Sequence, residues 1–264
     1  MPRSDPRSRP DAQPLFRLLG PLEAGRGPCP LPLRATRQKL ILATLLLSAD
    51  RVVPVAGLIE AVWGEQPPPT ARSQVHICIS QLRHKLADVV PHDRGIETRT
   101  YGYVLRTEPG DLDVTVFREQ VTAADLAAAH GRPEQAAGLY RAALGLWRGP
   151  ALSGLAGEAM GRAATQLAEE RIAAAEKRIE LELRLGRHRA LVHELTGLVG
   201  EHPLNERLSG YLMTALYRSG RQAEALASYR QARHRLAAEL GLEPGQELRA
   251  LERAILRQED MPAS

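Results

Sequence analysis

Residues 71–87 read ARSQVHICISQLRHKLA, and this stretch predicts an amphipathic helix. Aliphatic residues at spacings of four, three and four form one stripe along it, at Val75, Ile79, Leu82 and Leu86. A stripe of this kind is typical of a helix that packs on a core with one side and leaves the other accessible. Thr70 precedes the helix and is a candidate N-cap.

The opposite side of this helix has the composition of a surface that contacts DNA. It carries hydrogen-bonding groups, one aliphatic side chain and flanking cations. Residues 71–87 contain no Asp or Glu, and the first acidic residue after them is Asp88. Arg and Lys contact phosphates, polar side chains contact base edges, and an exposed Ile can contact a thymine methyl. A solvated amphipathic helix is the alternative that this pattern leaves open. The candidate DNA-contacting residues are Arg72, Ser73, His76, Ile77, Ser80, Gln81, Arg83, His84 and Lys85.

Short strand and helix signals surround this helix in the order of one kind of winged helix. Turn residues separate the segments, and Thr36 is a candidate N-cap for the first helix. A β-hairpin after Pro91 adds Arg99 and Tyr101 to the candidate DNA-contacting residues. The predicted strands are Leu15–Leu19, Pro30–Arg34, Val52–Val53, Ile96–Thr100 and Tyr103–Arg106, and the predicted helices before residue 71 lie at about 36–49 and 55–63.

A proline-rich loop joins the second helix to the candidate DNA-binding helix. It begins at Gly64 and contains three successive prolines at 67–69. Three prolines cannot occupy a helix interior, because each lacks an amide hydrogen. Trp63, just before the loop, is more typical of a core anchor than of a contact residue.

The sequence changes character at Asp113, where strand signals stop and Ala- and Leu-rich helical periodicity begins. Gly186-Arg187 recurs as Gly220-Arg221, a spacing of 34 residues, which is the tetratricopeptide period. A third copy begins at Gly131, and small residues followed by Tyr or Leu predict close packing between helix pairs. An irregular helical bundle is the alternative. The predicted helices lie at about 113–129, 133–147, 157–185, 187–201, 204–218, 221–239 and 245–257.

The positive charge of the chain is concentrated in its first part. The 264 residues carry a net charge of +4, with 15 Lys and Arg against 11 Asp and Glu in residues 1–112 and 20 against 20 in the remainder. This asymmetry and the chain length predict two domains, the first with a nucleic-acid partner. We expect a disordered basic arm at 1–14, an α+β winged-helix domain at 15–110, and an all-α tetratricopeptide-like helical repeat domain at 113–258.

Several functional classes lack their sequence signatures. The chain has no GxxxxGK[ST] phosphate loop, no HExxH and no GxSxG, and its histidines lack the neighbours of a metal site. We therefore predict no enzyme activity, no metal and no cofactor.

No apolar run has the length of a membrane span, no signal peptide is evident, and Cys29 and Cys78 form no CxxC pair. These features predict a cytoplasmic, nucleoid-associated protein with no membrane partner, in which Cys78 serves only packing.

Several blocks together resemble the Streptomyces antibiotic regulatory proteins, which join an OmpR-type winged helix to a bacterial transcriptional activation domain. The resemblance covers about residues 15–258. In the first domain the blocks are FRLLGPL at 16–22, RVV at 51–53, AVWG at 61–64 with the following prolines, SQLR at 80–83 and YGY at 101–103. In the second domain they are LWRGPAL at 146–152, EHPL at 201–204, ALYR at 215–218 with GR at 220–221, and ELGLEPG at 239–245.

The resemblance implies an activator of secondary-metabolite genes, such as those of an antibiotic cluster. It implies that a head-to-tail homodimer binds direct repeats in double-stranded promoter DNA, with the 71–87 helix in the major groove and Arg99 reaching the adjacent minor groove. It also implies that the proline-rich loop contacts the RNA polymerase holoenzyme, including its sigma factor. The loop residues so implied are Trp63, Gly64, Glu65, Gln66, Pro67 and Pro68.

One departure from the family bears on specificity. The triplet His76-Ile77-Cys78 stands where many relatives carry Gln-Thr-Tyr or a similar sequence. Because His is less suited than Gln to a paired contact with adenine, this difference predicts a different base preference. A protein-interaction scaffold and a small-molecule-responsive regulator are the alternative functions, and no residue pattern identifies a ligand for either.

Overall fold

The computed structural model describes residues 13–25, 31–90 and 95–258. Residues 1–12 of the predicted basic arm, and Cys29, lie outside the described residues. The first part contains β1 (Phe16–Arg17), β2 (Glu23–Ala24), α1 (Thr36–Leu47), β3 (Val53–Pro54), α2 (Val55–Trp63), α3 (Ala71–Leu86), β4 (Gly95–Arg99) and β5 (Gly102–Arg106). The second part contains α4 (Asp113–Ala129), α5 (Pro133–Leu144), α6 (Glu158–Arg184), α7 (His188–Glu201), α8 (Glu206–Arg218), α9 (Gln222–Leu240) and α10 (Gln246–Leu256).

Three helices and a three-stranded antiparallel sheet form the winged-helix fold that the sequence predicts. The sheet has the strand order β3-β5-β4, with Val53 of β3 opposite Tyr103 of β5. α1, α2 and α3 contact one another in pairs, and α3 also contacts β4. The apolar stripe of α3 is buried. The hairpin turn falls at Thr100 and Tyr101. The predicted winged-helix class is therefore confirmed, as is the helical class of the second part.

Two details of the N-terminal segment differ from the sequence expectation. The strand predicted at Pro30–Arg34 is not formed in its described part, and Glu23–Ala24 pairs with β1 instead. Pro32 gives the physical reason, since proline has no amide hydrogen to donate to a neighbouring strand. The predicted N-cap at Thr36 is also wrong, because the helix begins after Ala35 and Thr36 is its first helical residue.

A buried carboxylate holds the start of α4 against the segment that follows β1. Asp113 is 1% exposed and accepts hydrogen bonds from the backbone N–H groups of Leu18 and Leu19 at 2.8 and 2.9 Å. The carbonyls of the same two residues accept from the N–H groups of Leu152 and Arg148 at 3.0 and 2.8 Å. Burial raises the pKa of the Asp113 carboxyl, although its backbone hydrogen bonds oppose the shift. The LWRGPAL block thus supplies hydrogen-bond donors to the carbonyls of Leu18 and Leu19, which are not paired with a strand.

Replacing Asp113 with alanine is expected to lower the free energy of unfolding by about 2–5 kcal/mol, because two buried N–H groups lose their acceptor. The Asp113→Asn variant keeps an amide oxygen that can accept both bonds, so its loss should stay below about 2 kcal/mol. Urea unfolding of both variants, followed by circular dichroism, measures the difference. Equal losses in the two variants would show that the carboxylate charge, rather than the satisfied N–H groups, stabilises this site.

The turns inside the helical part repeat one backbone geometry. Gly131, Gly186 and Gly220 have φ of +69°, +77° and +80°, in the left-handed region that favours glycine because it has no Cβ. In each copy the backbone N–H of the following arginine donates to the carbonyl five residues earlier, at 2.9–3.0 Å. The repeat inferred from the Gly-Arg spacing therefore has the same local structure at all three positions.

The helices that follow these turns bury residues at matching offsets. α7 packs on α8 and α8 packs on α9, and their apolar residues share one core with Leu248 and Ile255 of α10. Small residues or Leu occupy the fifth position after each turn glycine, and Tyr or Leu occupies the ninth. The buried pairs are Ala136 and Tyr140, Leu191 and Leu195, and Ala225 and Tyr229.

Packing divides the chain into two compact units. Among the described residues, one unit comprises those up to Thr122 together with Ala142–Arg171, and the other comprises Ala123–Arg141 together with those from Ile172 onward. α4, α5 and α6 therefore contribute residues to both units. The limits 15–110 and 113–258 describe sequence domains, and they stay a prediction.

Candidate nucleic-acid interface

α3 buries its apolar stripe and leaves the predicted contact residues accessible. Ile77 is 56% exposed and thus available to an apolar base edge such as a thymine methyl. Cys78 is buried beside the stripe, and burial raises the pKa of its thiol. Lys85 is half-buried. The predicted contact residues of α3 that are exposed are Arg72, Ser73, His76, Ile77, Ser80, Gln81, Arg83 and His84.

The β4–β5 hairpin has an aromatic side chain at its tip. Tyr101 is 82% exposed there. Arg99 is exposed beside the tip and forms an ion pair with Glu97 of the same strand, and Arg106 lies 3.6 Å from the same carboxylate. Exposed ion pairs of this kind contribute little to stability. A phosphate can therefore replace Glu97 as the partner of Arg99 at small cost.

Arg83 links α3 to the hairpin. Its Nε donates to the carbonyl of Ile96 and its terminal nitrogen donates to Oγ1 of Thr98, both at 2.7 Å. Its guanidinium carbon lies 5.8 Å from the ring centre of Tyr103. Arg83 therefore sets the position of β4 relative to α3, and its remaining N–H groups are those that a phosphate can accept from.

His76 makes a second link between the same elements. Its Nδ1 lies 2.6 Å from the hydroxyl oxygen of Tyr103, and the two rings meet edge to face. Tyr103 is buried on β5 and is in contact with both His76 and Arg83. Two of the predicted contact residues are thus held by one buried tyrosine of the hairpin.

The start of α1 supplies further polar partners to α3. Nε2 of Gln38 donates to Oε1 of Gln81 at 2.6 Å, and Nζ of Lys85 donates to Oε1 of Gln38 at 2.8 Å. Arg37 donates to the side-chain amide oxygen of Gln74. An open cavity of about 450 Å³ is bordered by these glutamines and Arg37, and its lining also includes Ile77.

The proline-rich loop between α2 and α3 is accessible. Glu65, Gln66 and Pro67 are exposed, and Pro68 is half-buried. Gly64 has φ of +60° and lacks any neighbour in the space a side chain would take. Trp63 is half-buried, with the guanidinium of Arg37 over its ring at 5.4 Å. The loop residues that the resemblance assigns to polymerase contact are therefore reachable by another protein, with Trp63 partly packed beneath them.

Sequence reasoning missed the partners that hold these side chains. Gln38 and Tyr103 were not among the candidate residues, and they lie 43 and 27 residues from the side chains of Gln81 and His76 that they contact. One signal was present for Gln38, which lies four and seven residues before Leu42 and Leu45 and is buried with them on the apolar stripe of α1. A buried polar side chain requires a partner, and this partner is on α3.

Other kinds of site are not found in the part of the chain that the structure describes. Its His, Cys, Asp and Glu side chains form no group of three or more that could hold a metal ion. Over the same ranges, no helix combines the length and the apolar character that crossing a membrane requires. The site with the most convergent geometry is the exposed face of α3 together with the hairpin.

Comparisons with known proteins agree with this architecture. Residues 31–105 match the family described as transcriptional regulatory protein, C terminal, and residues 112–256 match the bacterial transcriptional activator domain. Regulatory protein AfsR of Streptomyces griseus is 42% identical over 246 residues, which are 93% of this chain and 25% of that protein. Regulatory protein DnrI of Streptomyces peucetius is 36% identical over 247 residues, which are 91% of each chain.

A solved structure shows the same fold. It is that of Mycobacterium tuberculosis EmbR in complex with a low-affinity phosphopeptide, and it matches with a TM-score of 0.88 and 39% identity. The match covers 96% of this chain and 67% of that one. The chain therefore spans about a quarter of the AfsR relative and about two thirds of the EmbR structure.

A winged helix followed by a bacterial transcriptional activator domain is the domain arrangement of a class of transcriptional regulators. The chain belongs to the Streptomyces antibiotic regulatory protein family. The resemblance seen in its sequence blocks is thereby confirmed.

Proposed function

We propose that this chain activates transcription by binding specific promoter DNA through α3 and the β4–β5 hairpin. The observation that carries the proposal is the polar, cation-flanked face of α3, which is exposed and linked to the hairpin by Arg83 and His76. α3 enters the major groove, where its side chains meet base edges and phosphates. Arg99 and Tyr101 of the hairpin meet the backbone of the adjacent minor groove.

The charge distribution supports the same surface. The excess of Lys and Arg over Asp and Glu lies wholly in residues 1–112, and no acidic residue occurs in α3. Phosphate contacts supply much of the affinity of a protein for DNA, and they make it fall as salt rises. A neutral helical part is suited to protein contacts rather than to DNA.

Family membership supports a proposal for the target promoters and for the assembly on DNA. The promoters are those of secondary-metabolite genes, such as an antibiotic cluster, and the binding site is a direct repeat occupied by a head-to-tail homodimer. The loop residues 63–68 recruit the RNA polymerase holoenzyme through its sigma factor, which stabilises polymerase at a weak promoter. The accessibility of Glu65 and Gln66 supports this role for the loop.

Footprinting and in vitro transcription test the proposal together. The purified chain should protect direct repeats in the promoters of neighbouring genes and raise transcript yield from them. The Glu65→Ala, Gln66→Ala double variant should leave the footprint unchanged and reduce the transcript. Protection without any rise in transcript from the native chain would contradict activation, and a loop variant with full transcript yield would contradict the polymerase contact.

Ile77 is expected to read a thymine methyl. Replacing one thymine of the site with deoxyuracil, which lacks the methyl, should weaken binding of the native chain about fourfold, since one buried methyl contributes about 0.8 kcal/mol. The Ile77→Ala variant should bind both duplexes equally, whereas Arg72→Ala should still distinguish them. Fluorescence anisotropy with the substituted duplexes measures the ratios. An Ile77→Ala variant that still distinguishes every thymine from uracil would rule out this contact.

A further inference from the structure

We propose that Gln38 and Lys85 fix the side-chain amide of Gln81, so that its N–H groups face the DNA and select a base with hydrogen-bond acceptors, guanine foremost. The inference rests on the proposed function, because it concerns which base α3 reads. It assigns a specificity role to Gln38, a residue on α1 that does not itself reach the DNA.

The argument begins at Lys85, whose ammonium group can only donate hydrogen bonds. Its Nζ lies 2.8 Å from the side-chain oxygen of Gln38 and 3.4 Å from the carbonyl of Pro32. Both partners are oxygen acceptors. The Gln38 amide must therefore place its oxygen toward Lys85, because the reverse orientation would set an NH₂ group against an ammonium.

The orientation of Gln38 then determines that of Gln81. With its oxygen toward Lys85, Gln38 directs Nε2 to Gln81, at 2.6 Å from the Gln81 amide oxygen. Gln81 has to meet this donor with its oxygen, so its own NH₂ group lies on the other side of the amide. Gln81 is an exposed residue of α3, and it lies on the helix face that we place against the DNA.

Burial makes this arrangement costly to reverse. Gln38 is 6% exposed, so an amide group that lost its partner could not turn to solvent. A buried polar group without a partner carries the full penalty of its desolvation. A free glutamine on a helix surface exchanges its two amide orientations at little cost, whereas Gln81 is held in one.

The fixed amide changes which base Gln81 recognises. A glutamine pairs with adenine by accepting from N6 and donating to N7, which needs both its oxygen and its nitrogen. In Gln81 the oxygen is turned toward Gln38, and the two N–H groups lie on the opposite side of the amide, where they are available to the DNA. Guanine has two acceptors in the major groove, N7 and O6, and it is the base that best fits a donor-only side chain.

Selection from a pool of random-sequence duplexes tests the inference. The native chain and the Gln81→Ala variant are each taken through the selection, and the base position at which only the native chain shows a preference is the one read by Gln81. The native chain should prefer guanine there by about tenfold over adenine. A native preference for adenine at that position, or no position that depends on Gln81, would overturn the inference.

The Gln38→Glu variant provides the decisive comparison. A carboxylate accepts from Lys85 and from Gln81 alike, so the Gln81 amide must reverse and turn its oxygen to the DNA. The preference should then move from guanine to a base with an amino group, cytosine or adenine. The Gln38→Leu variant removes the constraint, and it should lose the preference without gaining another. Unchanged base frequencies in the Gln38→Glu variant would overturn the inference.

Lys85→Met provides a second route if Gln38→Glu proves unstable, since it frees the Gln38 amide to reverse. It should relax the base preference at the Gln81 position alone, and thermal unfolding confirms that each variant is folded. Retained guanine selectivity in Lys85→Met would contradict the inference. A native chain that enriches no sequence would instead refute the proposed DNA recognition itself, and the two failures are thereby distinguishable.

Discussion

The Gly102→Ala variant is expected to lose about 3 kcal/mol or more of its free energy of unfolding, and with it most of its affinity for DNA. A Cβ at this position would lie 2.0 Å from the carbonyl oxygen of Val53 and 2.8 Å from Cα of Pro54. Both are backbone atoms of β3, so no side-chain rotation can relieve the overlap. The strands β3 and β5 would have to separate where Pro54 faces Gly102.

The loss should extend to the proposed DNA contacts, because β5 carries Tyr103 and continues into the hairpin tip. Thermal unfolding should show a fall of roughly 10 °C in Tm for a change of this size. Gly57→Ala is the matched control in the same winged helix, since its Cβ would meet only Cγ1 of Val53 at 3.8 Å, an ordinary contact. That variant should gain about 0.5–1 kcal/mol as a helical Gly→Ala change. A Gly102→Ala variant as stable as Gly57→Ala would contradict the close packing of β3 on β5.

The Arg83→Ala variant is expected to bind every DNA sequence at least about tenfold more weakly and with a flatter salt dependence. Two effects combine in this loss. One is the phosphate contact that the exposed cation provides. The other is the pair of hydrogen bonds to Ile96 and Thr98, without which the hairpin loses its fixed position against α3.

Arg83→Lys separates these two effects. Lysine keeps the charge but lacks the planar guanidinium that donates to the Ile96 carbonyl and to Oγ1 of Thr98 together. The variant should therefore retain the salt dependence of the native chain and still lose most of its affinity for DNA. Arg72→Ala is the control for a phosphate contact alone, and its log–log salt slope should fall by about 0.9 with Tm unchanged. Anisotropy titrations over a range of salt concentrations measure all three variants. Native affinity in Arg83→Lys would show that only the charge of Arg83 matters.

The sequence predicted the helices well because each has a strong local signal. The stripe from Val75 to Leu86 defined α3, and the turn glycines marked the ends of the helical repeats. The two-residue strands β1 and β2 had no comparable signal, since a pair of residues carries no periodicity. The strand expected at Pro30–Arg34 was wrong for a different reason, because its apolar composition indicated a strand although Pro32 has no N–H to donate.

The sequence predicted which side chains of the candidate site are exposed, but not the hydrogen bonds that they make to other elements. Helical spacing alone placed Gln81 and Arg83 on the accessible side of α3, where the structure has them. Their partners Gln38 and Thr98 lie on other elements, and no local pattern relates residues that only the tertiary fold brings together. These partners alter the chemistry, because Arg83 is not simply a free cation and Gln81 is not a freely rotating amide.

The most direct measurement of the central claim is the affinity of the purified chain for two duplexes of equal length in about 0.15 M salt. One duplex carries a promoter of the neighbouring genes, and the other carries the same bases in scrambled order. We predict that the promoter duplex binds on the order of a thousandfold more tightly. This ratio is at the lower end of the range by which specific DNA binding exceeds non-specific binding. Equal affinity for the two duplexes, or no binding to either even at low salt, would contradict the account.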